Sequence, residues 1–244
     1  MIADAVRDAE QMSVADLAAL TGASEMTIRR DLEVLSDQGV LERFRGGARS
    51  LLLRGEGPPY ALRMHEAVDA KARIAAEAAR LIAEGESVVI DSGTTCEEVA
   101  KALRGRRLTV LPLSLHVANA LVGSPGLTLL MPGGQVQDGE LTMHGPLAEA
   151  SLAALRFDTA ILGCCGLDAK NGLTAYDLPD AAVKRAAMAS ARRTVVVTDS
   201  SKLTQTALAF VAPASALNAV VTDLDAAPEA VDALRLAGAT VWQV

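Results

Sequence analysis

The chain has 244 residues, half of them hydrophobic, which is enough to bury one large domain and one small one. Its formal net charge of −7 excludes a surface that binds polyanions generally, although a small DNA-reading patch can lie on an acidic body. No apolar stretch approaches the roughly 18 residues of a membrane span, and the first residues lack the pattern of a signal peptide. With three cysteines, including the adjacent Cys164 and Cys165, these features predict a reduced cytoplasmic protein without membrane contact.

Two regions with different patterns divide the chain near residue 57. Up to about residue 49 the periods are short and helical, whereas from residue 71 apolar strands alternate with Ala-rich helices. Between these regions, glycines and the pair Pro58 and Pro59 interrupt any sustained period, which is typical of a linker. The pattern predicts a small domain over residues 1–56, a linker over 57–70 and a larger domain over 71–244.

The small domain has the pattern of a helix-turn-helix. Ser13 is expected to cap a first helix with Leu17 and Leu20 on its apolar face, and Gly22 supplies the turn. Ser24 is expected to cap a second helix, which in this motif enters the major groove of DNA. A short strand and a Gly-Gly turn follow, as in a winged variant. The predicted DNA contacts are Ser24, Glu25, Met26, Thr27, Arg29 and Arg30 on the helix and Arg43, Arg45 and Arg49 on the wing.

A helical hairpin used only for packing or dimerisation is the alternative for this domain. It is favoured by an excess of acids, because residues 1–50 contain six Arg and nine Asp or Glu. Against it, four arginines and no acid lie between Arg43 and Arg54. This local basic stretch favours DNA binding.

In the larger domain, seven apolar segments alternate with mostly helical ones. This spacing predicts a mostly parallel α/β sheet of the Rossmann type, covered by helices on both faces. The segment 133–145 is too short and polar for a crossover helix and is expected to form a hairpin or an excursion. The predicted strands are 87–91, 108–113, 127–131, 159–163, 194–199, 218–222 and 239–243.

Polar segments follow the first five predicted strands, at the positions where ligands bind in parallel folds. After the first strand, Gly93 lets a ligand approach the backbone, and Thr94 and Thr95 begin a helix whose dipole favours an anion. Lys184 and Lys202 could supply positive charge, so the chemistry suits a phosphorylated polyol. The aspartates that could bind its hydroxyls, orient the lysines or simply cap loops are Asp91, Asp168, Asp177 and Asp199.

The motif "SEMTIRRDL", followed by "GVLERFRGGA", resembles the N-terminal winged helix of the DeoR family of bacterial transcriptional regulators. In "DSGTT", "NGLTAYD", "AAVKRA" and "TDSSK", the larger domain resembles that family's sensor domain, which is itself similar to sugar-phosphate isomerases. The resemblance implies that "DSGTT" holds an effector phosphate and that Lys184 and Lys202 line the pocket. The predicted effector contacts are Asp91, Ser92, Gly93, Thr94, Thr95, Ser114, Gly133, Gly134, Cys165, Gly166, Thr174, Asp177, Lys184, Asp199 and Lys202.

Two segments of the predicted pocket depart from the family's usual pattern. After the second strand, "PLS" keeps Ser114 but lacks an Asn amide, and "GCCG" has Cys165 in place of an Asp. Both changes remove polar groups from the pocket. They predict an effector that differs from the family's usual hexose or pentose phosphates, or that offers fewer hydroxyls.

Two enzyme alternatives stand beside a regulator. Cys164 and Cys165 with a histidine suggest metal or thiol chemistry, but no ligand pair has zinc-type spacing, so no metal or cofactor is predicted. Cys96, near a helix N-terminus, is a candidate for a thiol more reactive than average. The stronger alternative is an isomerase-like enzyme with a DNA-binding appendage, in which Asp168 or Asp199 is the base.

The sequence therefore predicts a regulator without enzymatic activity, most directly a repressor of a carbohydrate or polyol catabolic operon. Its expected partners are operator double-stranded DNA, a phosphorylated sugar, sugar acid or polyol, and further copies of the chain in a homodimer or homotetramer. Effector binding is expected to favour a subunit arrangement in which paired recognition helices no longer match the spacing of the half-sites.

Overall fold

A computed structural model describes residues 2–37, 40–51 and 58–244 and divides the chain into a unit up to Arg63 and a unit from Met64. The domain boundary expected near residue 57 lies outside the described residues. The linker expected over 57–70 contains a short helix at Tyr60–Arg63.

The smaller unit is a winged helix-turn-helix, as predicted. Its elements are α1 (Ile2–Asp8), β1 (Gln11–Ser13), α2 (Val14–Thr21), α3 (Glu25–Asp37), β2 (Leu41–Phe44), β3 (Gly47–Ser50) and α4 (Tyr60–Arg63). The Ser13 hydroxyl caps α2 by accepting a hydrogen bond from the Asp16 amide at 3.1 Å. Gly22 ends this helix in the left-handed conformation, with a φ of 72°. Leu17 and Ile28 are fully buried between the helices and the wing.

Two details of the smaller unit differ from the expectation. Leu20, expected on the apolar face of α2, is 57% exposed. Each three-residue step along a helix turns by about 300°, so two steps carry Leu20 about 120° away from the buried Val14. The strand β1 is not predicted either. It pairs with β3 and makes the wing a three-stranded sheet in the order β1-β3-β2.

The larger unit contains all seven predicted strands in one parallel sheet, in the order β15-β14-β12-β9-β4-β5-β6. The helices and strands of this unit are α5 (Val68–Arg80), β4 (Ser87–Ile90), α6 (Thr94–Ala102), β5 (Leu108–Pro112), α7 (Leu115–Leu121), β6 (Leu127–Leu129), β7 (Gln135–Val136), β8 (Met143–His144), α8 (Pro146–Ala154), β9 (Phe157–Leu162), β10 (Gly166–Asp168), β11 (Gly172–Ala175), α9 (Leu178–Ser190), β12 (Ala191–Val197), β13 (Ala209–Ala212), β14 (Ala219–Thr222), α10 (Pro228–Leu236) and β15 (Thr240–Gln243).

The apolar core lies on both faces of this sheet. In β9, Ala160 packs with residues of α8 and α9, such as Leu152 and Val183. The next residue, Ile161, points to the opposite face and packs with residues of α5 and α6, such as Ile74. Because both faces are covered, consecutive strand residues are apolar, and this explains the unbroken apolar runs of the sequence.

Two smaller antiparallel sheets accompany the parallel one. The segment 133–145 forms the predicted hairpin, in which β7 pairs with β8. The strands β10, β11 and β13 form a second sheet that the sequence does not predict. Gly172 sits at its turn with a φ of 74°, and a Cβ there would lie 2.2 Å from the Ala212 carbonyl oxygen, so only glycine fits.

Candidate functional site

The parallel sheet changes its winding direction between two neighbouring strands, β4 and β9. From β4 the chain continues outward through β5 and β6, whereas β9, β12, β14 and β15 lie on the other side. The carboxyl ends of the strands flanking such a switch point border a crevice in which ligands bind. The five polar segments of the sequence follow the carboxyl ends of β4, β5, β6, β9 and β12 and therefore lie at this one edge.

The segment after β4 presents the start of a helix to this edge. Gly93 is the N-cap of α6 with a φ of 96°, a conformation that favours glycine, and it has no side chain with which to cap the helix. Ser92, Thr94 and Thr95 are buried. A helix start without a capping side chain offers backbone N–H donors and the positive end of the helix dipole, which together suit an anion.

A buried ion cluster, formed by Asp91, Lys184 and Asp180, adjoins this segment. Asp91 Oδ2 accepts hydrogen bonds from the Gly163 amide at 3.0 Å and from Lys184 Nζ at 2.5 Å. Lys184 Nζ also lies 3.0 Å from Asp180 Oδ1. The cluster ties α9 to the ends of β4 and β9 at the switch point. Lys184 thus directs its charge to two carboxylates of the protein.

The electrostatics of the cluster keep the lysine charged. Burial favours the neutral amine, but the charges of Asp180 and Asp91 outweigh it and raise the pKa of Lys184 well above its ordinary value. Burial also raises the pKa of Asp180, although the charge of Lys184 acts in the opposite direction. One ammonium therefore faces two carboxyl groups, and the cluster has acceptor capacity to spare.

That spare capacity is visible as oxygens without hydrogen-bond donors. Within the described part of the chain, the buried side-chain oxygens that lack a hydrogen-bond partner are Asp91 Oδ1, Asp180 Oδ1 and Thr222 Oγ1. Asp180 Oδ1 faces Lys184 as an ion pair without hydrogen-bond geometry. Thr222 ends β14, so all three groups lie at the same sheet edge. Asp180 and Thr222 are absent from the predicted contacts, because neither stands in a motif.

The other candidate aspartates cap the backbone. Asp177 caps α9 by accepting from the Asp180 amide at 2.8 Å, and Asp199 accepts from the Ser201 amide at 3.1 Å. At the turn after β10, Asp168 accepts from the backbone amides of Lys170 and Asn171 and from the side chains of Asn171 and Thr206. Burial raises the pKa of Asp168, but these hydrogen bonds outweigh it and lower the pKa below its ordinary value. A base saturated with donors in this way is poorly placed to accept a substrate proton.

The remaining predicted contacts have different surroundings. The buried Ser114 caps α7 and accepts from the Val117 amide at 3.2 Å. The buried Thr174 donates to the Gly166 carbonyl at 3.0 Å, so these two residues hold β10 and β11 together. Gly133 and Gly134 are exposed before the hairpin, and the half-buried Lys202 ends a turn of 3-10 helix after β12.

The three cysteine thiols share one electrostatic property, a pKa raised by burial. Burial raises the pKa of Cys164 to about 11 and that of Cys165 to about 12. Burial, reinforced by the charge of Asp91, also raises the pKa of Cys96 well above its ordinary value. The expectation of a reactive Cys96 is therefore wrong, because desolvation outweighs its position at a helix N-terminus.

The recognition helix of the smaller unit is α3. Ser24 caps it, since its hydroxyl accepts from the Thr27 amide at 3.2 Å and lies 2.9 Å from the Thr27 hydroxyl. Glu25 and Met26 begin the helix, and the Met26 side chain is 75% exposed. All predicted contacts of this helix are exposed, while Ile28 and Leu32 face the core.

Several arginines of this unit are already paired with glutamates. Arg29 Nη2 lies 2.8 Å from Glu25 Oε2 within α3. Arg49 Nη2 lies 2.5 Å from Glu42 Oε2 across the β2–β3 hairpin. Arg43 lies 3.8 Å from Glu33. The basic stretch that starts at Arg43 contains no acid, but the strand register places Glu42 opposite Arg49. The sequence pattern alone misses this pairing, because it depends on the register of the hairpin.

Two further properties bear on the kind of site. Within residues 2–37, 40–51 and 58–244, no helix is long and apolar enough to cross a membrane. Over the same residues, no group of three His, Cys, Asp or Glu side chains could hold a metal ion.

A winged helix followed by an α/β sheet with polar loops at one edge defines a class of protein, the DNA-binding regulators with a sensor domain. The chain matches the model of the DeoR-like helix-turn-helix domain over residues 1–52 and that of the DeoR C terminal sensor domain over residues 66–224. It belongs to the DeoR family. The resemblance inferred from the sequence motifs is confirmed.

The chain is similar to several curated regulators. It is 34% identical to the transcriptional repressor AccR of Agrobacterium fabrum over 91% of this chain and 87% of that protein. It is 36% identical to the glycerol-3-phosphate regulon repressor of Haemophilus influenzae, over 83% and 79% of the two chains. Among solved structures, the chain is similar to ribose 5-phosphate isomerase A of Methanocaldococcus jannaschii, with a TM-score of 0.41 and 17% identity. The match covers 55% of this chain and 54% of that chain.

Proposed function

We propose that this chain is a transcriptional regulator, most directly a repressor of a carbohydrate or polyol catabolic operon, whose DNA binding depends on a phosphorylated metabolite. The relatives named for such regulons support this proposal. The observation that carries the sensing half is the uncapped start of α6 next to the unsatisfied Asp91 Oδ1 at the switch point. Backbone N–H groups that donate to an anion lie here beside oxygens that can accept hydrogen bonds from hydroxyl groups. This combination suits a sugar or polyol that carries a phosphate.

The proposed binding mode assigns roles to parts of this edge. The backbone N–H groups of Gly93, Thr94 and Thr95 and the hydroxyls of Thr94 and Thr95 hold the phosphate, and the half-buried Lys202 adds positive charge. Lys184 acts indirectly, because its ammonium is held by Asp91 and Asp180. Spare oxygens of these carboxyl groups accept hydrogen bonds from ligand hydroxyls. A ligand held in this way bridges the ends of β4 and β9 and the start of α9.

The proposed regulation requires two arrangements of a homodimer or homotetramer that differ in affinity for the ligand. A ligand shifts the balance only by the ratio of its affinities for the two arrangements. We propose that, in the ligand-bound arrangement, the distance between paired α3 helices no longer matches the spacing of the operator half-sites. In this proposal residues 1–56 are the DNA-binding domain and residues 71–244 are the sensor.

An isomerase-like enzyme is the second candidate, and the geometry favours it less. Of the two candidate bases, Asp168 is engaged by Asn171 and Thr206, and Asp199 caps the following turn. A sensor needs affinity alone, whereas an isomerase needs a carboxylate free to accept a proton beside the substrate. We therefore propose a regulator without catalytic activity.

A ligand screen tests the proposal. Phosphorylated sugars, sugar acids and polyols are added to the full-length protein, and thermal unfolding, duplex binding and compound turnover are measured in parallel. We expect one chemical group of compounds to raise the melting temperature and to change duplex binding without being consumed. Conversion of a stabilising compound would favour the isomerase, and stabilisation without any effect on duplex binding would contradict the regulator.

A further inference from the structure

The start of the recognition helix carries an acidic side chain where DNA is expected to approach. Glu25 is the first residue of α3, and Arg29 follows one turn later. Their side chains form an ion pair at 2.8 Å, while remaining 52% and 57% exposed respectively. The pair is thus available to a partner from outside.

A carboxylate on this surface restricts which partner it accepts. Phosphate oxygens repel it, and so do the acceptor atoms on the major-groove edges of guanine and thymine. The amino group of cytosine is a donor in the major groove and is the usual partner of Glu there. Glu25 therefore favours a cytosine and disfavours contacts that ignore sequence.

The ion pair also orients the arginine. An Arg guanidinium binds guanine through two parallel hydrogen bonds, which requires a defined orientation of its plane. Glu25 holds Arg29 by one nitrogen, Nη2, and leaves the other donors available. Four residues rise about 6 Å along a helix, and neighbouring base pairs are about 3.4 Å apart. The backbone positions are thus nearly two base-pair steps apart, but the ion pair brings the side-chain ends to within 2.8 Å, so the two side chains can contact neighbouring base pairs.

A second Arg–Glu pair of the same unit provides a contrast. Glu42 and Arg49 lie opposite each other on the β2–β3 hairpin and are also exposed. The wing of a winged helix tracks the DNA backbone or minor groove, where the pattern of donors and acceptors is degenerate. A carboxylate in the wing changes the charge of the surface without selecting a major-groove base.

We propose that Glu25 is a specificity-determining residue, which accepts a hydrogen bond from a cytosine amino group in the operator and presents Arg29 to a neighbouring guanine. The inference rests on the proposed DNA-binding function and deepens it, since it assigns base chemistry to one helix position. Glu25 also favours the helix start through the dipole, but that effect is independent of the DNA sequence.

Binding-site selection from a randomised duplex pool tests the assignment. Full-length wild-type protein, Glu25→Gln and Glu42→Gln are each used to select duplexes, and affinities for the wild-type consensus and a scrambled duplex follow from fluorescence anisotropy. Glu25→Gln should lose the preference for cytosine at one position by about tenfold or more. It should also bind the scrambled duplex severalfold more tightly, a gain that an unfolded variant cannot produce.

The control variant Glu42→Gln and the wild-type selection distinguish a failure of the Glu25 assignment from a failure of the proposed DNA-binding function. Glu42→Gln should select the wild-type consensus and bind all duplexes more tightly by a similar factor. If Glu25→Gln selects the wild-type consensus with unchanged discrimination, the inference is overturned while DNA binding stands. If the wild-type protein enriches no sequence, the proposed function fails and the inference fails with it.

Discussion

The two units of this chain use the same chemical pair, a cation beside a carboxylate, in opposite surroundings. In the larger unit, Lys184 and Asp91 are buried at the switch point of the sheet. In the smaller unit, Arg29 and Glu25 are more than half exposed. A buried pair is costly to break, because each charge then lacks compensation, whereas an exposed pair exchanges partners at little cost. The comparison indicates that the first pair holds a site in shape and the second is available for DNA.

Removing the buried cation should have the largest effect on stability. Lys184→Met leaves Asp91 buried without its counter-ion and should lower the free energy of unfolding of the larger unit by about 3–5 kcal/mol. Urea unfolding followed by tryptophan fluorescence measures this, because the chain's single tryptophan, Trp242, lies in β15.

Two further variants sharpen this prediction. The double variant Lys184→Met with Asp91→Asn removes one of the two carboxylates that Lys184 compensates, leaves Asp180, and should regain part of the loss. Arg29→Ala, which breaks the exposed pair, should change the free energy of unfolding of the smaller unit by about 0.5 kcal/mol or less. Circular dichroism follows this unit, because Trp242 lies in the larger one. Equal losses for Lys184→Met and Arg29→Ala would contradict the distinction between the two pairs.

A smaller effect concerns pH and the buried thiols of the larger unit. Folding raises the pKa of Cys164 to about 11 and that of Cys165 to about 12, from an ordinary value of 9.0. Below about pH 9 these thiols are protonated in both the folded and the unfolded chain, and their contribution to stability is fully present. The contribution is lost as the pH rises towards 11 to 12, because the thiols of the unfolded chain lose their protons at a lower pH. Urea unfolding between pH 7 and 10 should show stability falling only above about pH 9.

The matched variants for this experiment are Cys164→Ser and Cys165→Ser, whose hydroxyls do not titrate in this range. They should flatten the fall. A wild-type curve that rises above pH 9 would mean that the thiolates are stabilised by the fold, and it would contradict the burial argument.

Much of the architecture follows from the sequence because it depends on local periodicity. Unbroken apolar runs mark the seven parallel strands, and the Gly22 turn and the Ser24 cap mark the helix-turn-helix. The parallel topology then brings "DSGTT" and "GCCG" to one edge. Features that depend on register or distant packing do not follow. The pairing of Glu42 with Arg49 requires the hairpin register, and the short strands β10, β11 and β13 have no distinctive periodicity.

The ligand site is intermediate between these cases. The polar loop Asp91 to Thr95 stands out in the sequence, because it interrupts an apolar strand before a helix. The unsatisfied buried oxygens of Asp180 and Thr222 do not stand out, since one residue lies within a helix and the other ends an apolar strand. Only the three-dimensional arrangement shows that the charge of Lys184 is already paired with two carboxyl groups of the protein, so the proposed phosphate site uses other partners.

The most direct test of the central claim is the ligand response of DNA binding in a variant that carries Thr94→Val and Thr95→Val. Binding to the selected duplex is measured by fluorescence anisotropy while the stabilising phosphorylated compound is titrated. The variant should bind the duplex like the wild type and should lose the response to the compound, whereas Thr240→Val on the exposed edge strand β15 should keep it. A response in the Thr94 and Thr95 variant equal to that of the wild type would place the phosphate elsewhere and contradict the account.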